Sequence, residues 1–114
     1  MRRAALILVF APGLAYLDLA PSSAWAAPDG RQIVLHGNGN GAPPCAACHG
    51  ANGAGNPATG APALAGRPAG EIAAALMRMG QGKGGNALMQ SIARSLNPAE
   101  IQAVAAYFSG LPKP

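Results

Sequence analysis

The stretch that most constrains this chain is Cys45-Ala46-Ala47-Cys48-His49. Two cysteines three apart, followed at once by histidine, is the spacing of covalent c-type haem attachment. Positions i and i+3 lie on one face of a helical turn, so both thiols can bond the two vinyl groups along one porphyrin edge. The next residue, His49, is placed so that its imidazole can reach the iron from one face. Both cysteines of the chain are used and none is left over.

Other chemistries fit these residues less well. A redox dithiol needs a strand before the motif and a βαβ surround; here the approach is Gly37-Asn38-Gly39-Asn40-Gly41-Ala42-Pro43-Pro44, a loop. A zinc site needs two further ligands at comparable spacing, and His36 is the only other histidine or cysteine. A disulfide across two intervening residues makes a tight loop and leaves His49 unexplained. Haem attachment uses all three residues.

The chain opens with a basic cap, Met1-Arg2-Arg3, then an apolar run over 4–20 interrupted by Pro12, Gly13 and Asp18. Pro21 to Ala26 ends in a small-x-small site at Ala24 and Ala26. This is the pattern of a secretory signal peptide, read as residues 1–26, cleaved after Ala26 and leaving a single domain over 27–114. A membrane span needs about 20 apolar residues in a row, which Pro12 and Asp18 prevent; an uncleaved anchor is the alternative. Export to the periplasm agrees with the motif, because this kind of attachment takes place outside the bacterial inner membrane.

Cleavage leaves 88 residues, of which 20 are Ala and 15 are Gly. The only aromatic residues after the leader are Tyr107 and Phe108, since Phe10, Tyr16 and Trp25 precede the cut. Domains slightly smaller than this already need staples, and this one is short of side-chain volume. A buried porphyrin would supply the missing apolar bulk, so the haem-free chain is expected to fold poorly. The six basic residues (Arg31, Arg67, Arg78, Lys83, Arg94, Lys113) and three acidic ones (Asp29, Glu71, Glu100) form no run and no aromatic-interleaved patch. That excludes a nucleic-acid-binding surface and leaves Arg67, Arg78 and Lys83 as ordinary solubilising charges or steering groups for an anionic redox partner.

Residues 50–66 read as irregular loop with neither strand nor helix periodicity; elsewhere the periodicity is helical. Asp29 caps a short helix to about His36, with Ile33 and Val34 or Leu35 inward and Gly37 as the stop. His36 itself reads as a surface residue. A second helix spans about Ala69 to Met79, with Ile72, Leu76 and Met79 in one stripe and Glu71 near the positive end of the helix dipole. Gly80 to Gly85 form a loop, and Gln90 to Leu96 are expected to make a short helix. Asn97-Pro98-Ala99-Glu100 is a helix N-terminus for a last helix to about Ser109, with Ile101, Val104, Phe108 and Leu111 in one stripe. Gly110 is its expected stop. No strand is expected, and the fold class is all-α.

Over residues 28–112 the chain resembles the small bacterial monohaem class I c-type cytochromes, a kind that also forms the halves of dihaem cytochromes. The resemblance rests on Cys45-Ala46-Ala47-Cys48-His49-Gly50, Ala61-Pro62-Ala63-Leu64-Ala65-Gly66, Met89-Gln90-Ser91-Ile92-Ala93 and Ile101 to Phe108. It implies about four helices wrapped around one covalently bound haem c. It also implies that the first and last helices cross, with Tyr107 at the crossing.

The resemblance implies His and Met axial ligands on the iron. Met89 follows the glycine-rich loop, stands forty residues after His49 and matches the family's ligand position; Met79 and Met77 are the alternatives. Pro62 matches the proline whose carbonyl accepts a hydrogen bond from the ligand histidine, which orients the ring and raises its basicity. Asn86 is a candidate donor near the methionine sulfur. The family's aromatic residue in or after the middle helix is absent, so Arg67, Gln81 or Lys83 are candidate partners for the haem propionates. The implied function is a periplasmic one-electron carrier, not an enzyme by itself. It would exchange electrons with redox proteins (a dehydrogenase, an oxidase or another cytochrome) and meet membranes only through them. The alternatives are a cytochrome subunit of a dehydrogenase complex and a ligand-binding or sensor haem protein.

Overall fold

The computed structural model describes residues 4–9, 11–13 and 27–114. Residues 4–9 and 11–13 carry no regular secondary structure, and Leu6 to Val9 are exposed. The expected cleavage site at Ala24 and Ala26 lies outside the described residues. No helix among them is long and apolar enough to cross a membrane.

From residue 27 onward the chain is helical. Helix α1 (Gly30–His36) starts where the Asp29 side chain accepts the N–H of Gln32 at 3.3 Å, and buries Ile33 and Val34. Helix α2 (Ala46–His49) is a single turn and accounts for five helices where about four were expected. Helix α3 (Ala69–Gly80) runs one residue beyond the expected end, burying Ile72, Ala73 and Leu76. Helix α4 (Ala87–Arg94) corrects the expected Gln90–Leu96. Asn86 caps it, its side-chain oxygen accepting the N–H of Met89 at 2.9 Å, so the helix begins three residues early and Met89 lies in its first turn.

Helix α5 (Pro98–Ser109) opens with the expected capping box. The Asn97 oxygen accepts the Glu100 N–H at 2.8 Å, and the Glu100 carboxylate accepts the Asn97 N–H at 3.0 Å. Gly110 ends it with φ −78°, a conformation open to any residue, so no glycine is required there. No strand occurs among the described residues; a single bridge joins Asn56 and Ala61.

Helix α5 is the central element: α1 and α3 both pack on it, and α4 packs on α3. Val34, Ala105 and Phe108 are almost completely buried between these helices. Helices α1 and α5 approach closely because Gly30 has no side chain. A Cβ there would overlap the Ala103 carbonyl and come within 3.2 Å of Tyr107 Cβ. Tyr107 thus stands at the contact expected for it. A polar clasp secures the opposite end of α1: Asn38 Nδ2 donates to the Ser95 carbonyl at 2.7 Å and to Glu100 at 3.3 Å. The Asn38 oxygen accepts the N–H groups of Asn40 and Ala42. This ties the loop before the Cys-x-x-Cys-His turn to the α4–α5 junction.

Candidate functional site

Helix α2, the face of α3, the start of α4 and the loop over 59–64 enclose a cavity of about 680 Å³. That size falls within the range of cofactor pockets. Cys45, Cys48, His49, Pro62 and Met89 all line it. Residues that the sequence leaves dozens of positions apart therefore converge on one space.

His49 is only 6% exposed, and its ring lies 6.5 Å from that of Phe108 between centroids. Its Nδ1 is 2.9 Å from the Pro62 carbonyl oxygen. A carbonyl can only accept, so Nδ1 carries the proton and donates it. In the neutral tautomer with the proton on Nδ1, the second nitrogen, Nε2, is the one that can bind a metal. The loop that brings Pro62 here is closed by backbone bonds. Asn56 N–H donates to Ala61 at 2.9 Å, Gly55 N–H to His49 at 2.9 Å, and Leu64 N–H to Gly53 at 2.8 Å. Gly55 (φ +78°) is in the left-handed region, and a Cβ on it would meet backbone atoms of Ala61, Pro62 and Ala63 at 2.7–2.8 Å. Only glycine lets the two loop strands approach this closely.

Cys45 is partly buried and Cys48 exposed, and the two are not joined. Burial pushes the Cys45 thiol above its usual range, against a smaller lowering by a backbone hydrogen bond. A redox dithiol works through a thiolate with a lowered pKa, so the shift runs opposite to that chemistry. No group of three or more His, Cys, Asp or Glu side chains that could hold a metal ion occurs among the described residues.

The apolar wall comes from Ile72 and Leu76 of α3, Ile92 of α4 and Val104 and Phe108 of α5. Two cations also line the cavity, Arg67 and Arg78. Arg67 pairs with Glu71 at 3.3 Å across the first turn of α3, both groups being about half exposed. Gln81 and Lys83, the other candidate propionate partners, do not line it; they sit on the exposed loop beyond α3. His36 is exposed on α1, as expected. Met79 lines the cavity with Met89, whereas Met77 is 51% exposed. Asn86 also lines the cavity, but its side-chain oxygen is the cap of α4. Gly55 was not legible as a site residue, because it acts only by admitting the backbone of residues 61–63; Arg78 was legible only as a surface or steering charge, and its place on the cavity wall depends on the packed fold.

These observations fit a porphyrin. The space is apolar, two thiols stand at its edge, a buried imidazole presents a free nitrogen, a thioether lies within reach, and two guanidinium groups can meet carboxylates. A helical fold closed over such a cavity, with Cys-x-x-Cys-His on its wall, defines a c-type cytochrome. The family model for Cytochrome c matches residues 27–112, and the chain belongs to the cytochrome c family.

It is 46% identical over 67 residues to a thiosulfate dehydrogenase electron acceptor of Thiomonas intermedia (strain K12), a match covering 59% of this chain and 31% of that protein. It is 42% identical over 89 residues to the thiosulfate dehydrogenase electron acceptor of Stutzerimonas stutzeri (strain A1501), covering 77% and 41%. Reduced recombinant cytochrome c4 from Pseudomonas stutzeri superposes with a TM-score of 0.70 at 32% identity, over 75% of this chain and 48% of that one. The chain thus spans less than half the length of these relatives.

Proposed function

We propose that residues 27–114 form an exported one-electron carrier, released from a signal peptide over 1–26 and working in the periplasm. Cys45 and Cys48 would hold one haem c through thioether bonds, and His49 and Met89 would ligate its iron. The observation that supports this most is the convergence of both cysteines, His49 and Met89 on one apolar cavity. The bound haem supplies a one-electron couple between ferric and ferrous iron.

The protein's own residues set the conditions for it. The Pro62 carbonyl keeps the His49 proton on Nδ1 and the ring in one orientation. A thioether in the sixth position favours the reduced state and fills the site, so dioxygen and peroxide find no open position. Burial among Ile72, Leu76 and Phe108 excludes water and penalises the more charged oxidised form. Arg67 and Arg78 are the groups to receive propionate carboxylates, in place of the expected Gln81 and Lys83. The exposed side chains of Cys48 and Leu88 at the cavity mark a route by which a partner can approach the haem edge. The chain transforms no substrate by itself.

The likeness to two thiosulfate dehydrogenase electron acceptors favours a dehydrogenase as the donor. A soluble oxidase or another cytochrome would be the acceptor, and contact with a membrane would come only through such partners.

An absorption spectrum of periplasmically matured protein tests the reading. The expected result is c-type bands in both redox states, a weak far-red iron–methionine band in the oxidised state, and a reduced form inert to carbon monoxide. Bands without the methionine feature, together with rapid carbon monoxide binding, would favour a ligand-binding haem instead. A colourless protein with two free thiols after competent maturation would end the proposal. For the donor, stoichiometric reduction by thiosulfate only in the presence of a thiosulfate dehydrogenase is the expected outcome.

A further inference from the structure

Two methionine side chains reach the same cavity, and the carrier reading uses one of them. Met79 lies in the last turn of α3 and Met89 in the first turn of α4, and these helices pack together. Both are partly buried against the core and both line the cavity. They also flank one backbone position. A Cβ placed on Gly85 would overlap the Met79 sulfur and stand 3.6 Å from Met89 Cβ. The two side chains therefore lie side by side on one wall. Apart from the two cysteines and His49, no other sulfur or imidazole among the described residues lines this space, and Met77 is on the outer face of α3.

We propose that Met79 is a second thioether donor to this site, able to take the sixth position on the iron when Met89 is absent. The inference rests on the His49/Met89 reading above. A methionine side chain turns about three torsions and adapts to irregular space, so a sulfur beside the resident ligand can move over without a helix shift. The glycine at 85 gives the Met79 sulfur its room. With Met89 absent there is no bond to break: the Met79 sulfur would supply the missing thioether donor, and no proton or electron is consumed.

The test uses matured holoprotein carrying Met79→Leu, Met89→Ala and the two together, with haem content measured first as the pyridine haemochrome. Met79→Leu is expected to keep the far-red band. Met89→Ala is expected to keep a low-spin spectrum and a methionine band, with a shifted potential. The double variant is expected to lose the band and bind carbon monoxide at least tenfold faster than either single one. If Met89→Ala loses the band and binds carbon monoxide like the double variant, the reserve role fails while Met89 stands as the resident ligand. If Met79→Leu alone loses the band, it is the assignment of Met89 that fails. A band surviving in the double variant overturns both. Should Met89→Ala yield no holoprotein, Met89→Leu, which preserves volume, takes its place with the same outcomes.

Discussion

The pair Gly55 and Pro62 shows how much of this site rests on backbone atoms. Pro62 contributes a carbonyl, which any residue could offer; what proline adds is a fixed φ and no competing N–H. Gly55 contributes only the space that lets residues 61–63 lie against it. Gly55→Ala should therefore act on His49 without touching it. The added methyl pushes Pro62 away from Nδ1, the imidazole becomes a poorer donor, and the oxidised state loses more stabilisation than the reduced one. The expected result is a raised reduction potential with haem content unchanged, and a loss of about 1–3 kcal/mol in stability from overpacking. Redox titration and thermal melting of the holoprotein check both. An unchanged potential would mean that the His49–Pro62 bond survives the substitution.

At the scale of elements, α1 and α5 are joined through Gly30 and the Ala103 backbone. Gly30→Ala has to separate two helices that share Val34, Ala105 and Phe108 in their contact, and should cost about 1–3 kcal/mol. For a domain of this size each kcal/mol lowers the melting temperature by about 4–8 °C. Gly70→Ala is the matching control: it lies in α3 with nothing within 4 Å of the added Cβ, and should stabilise by about 0.5 kcal/mol through helix propensity. Opposite signs at two helical glycines would tie the effect at Gly30 to packing; a loss at both would not. The helix ends themselves were largely legible, because Asp29, Asn97 and Glu100 act on N–H groups within three residues of themselves. The start of α4, three residues ahead of the expected one, is set by an equally local cap at Asn86.

At the scale of the whole molecule, the shortage of large side chains sets the expectation. Among the described residues the buried apolar set contains one aromatic residue, Phe108, and five alanines alongside the aliphatic side chains, and part of it borders a cavity of about 680 Å³. Apolar contact with a bound haem is the means by which the chain would close its core. The haem-free protein, for instance with Cys45 and Cys48 both replaced by Ser, is expected to show no cooperative thermal transition. The holoprotein should melt cooperatively, and calorimetry on the two decides the matter. Features that depend on neighbours along the chain could be read directly: the Cys-x-x-Cys-His turn, the caps at Asp29 and Asn97, the apolar stripes of α3 and α5, and so an all-α chain of the cytochrome c family. Tertiary structure alone decided what depends on distance through space. It set Pro62 against His49, Gly55 beneath Pro62, Gly30 against Ala103, and Arg78 rather than Lys83 at the cavity. It also brought two methionines to one wall. Local hydrogen bonds and periodicity are written within a few residues, whereas close approach between segments is settled only when the packed helices fix which backbones must touch.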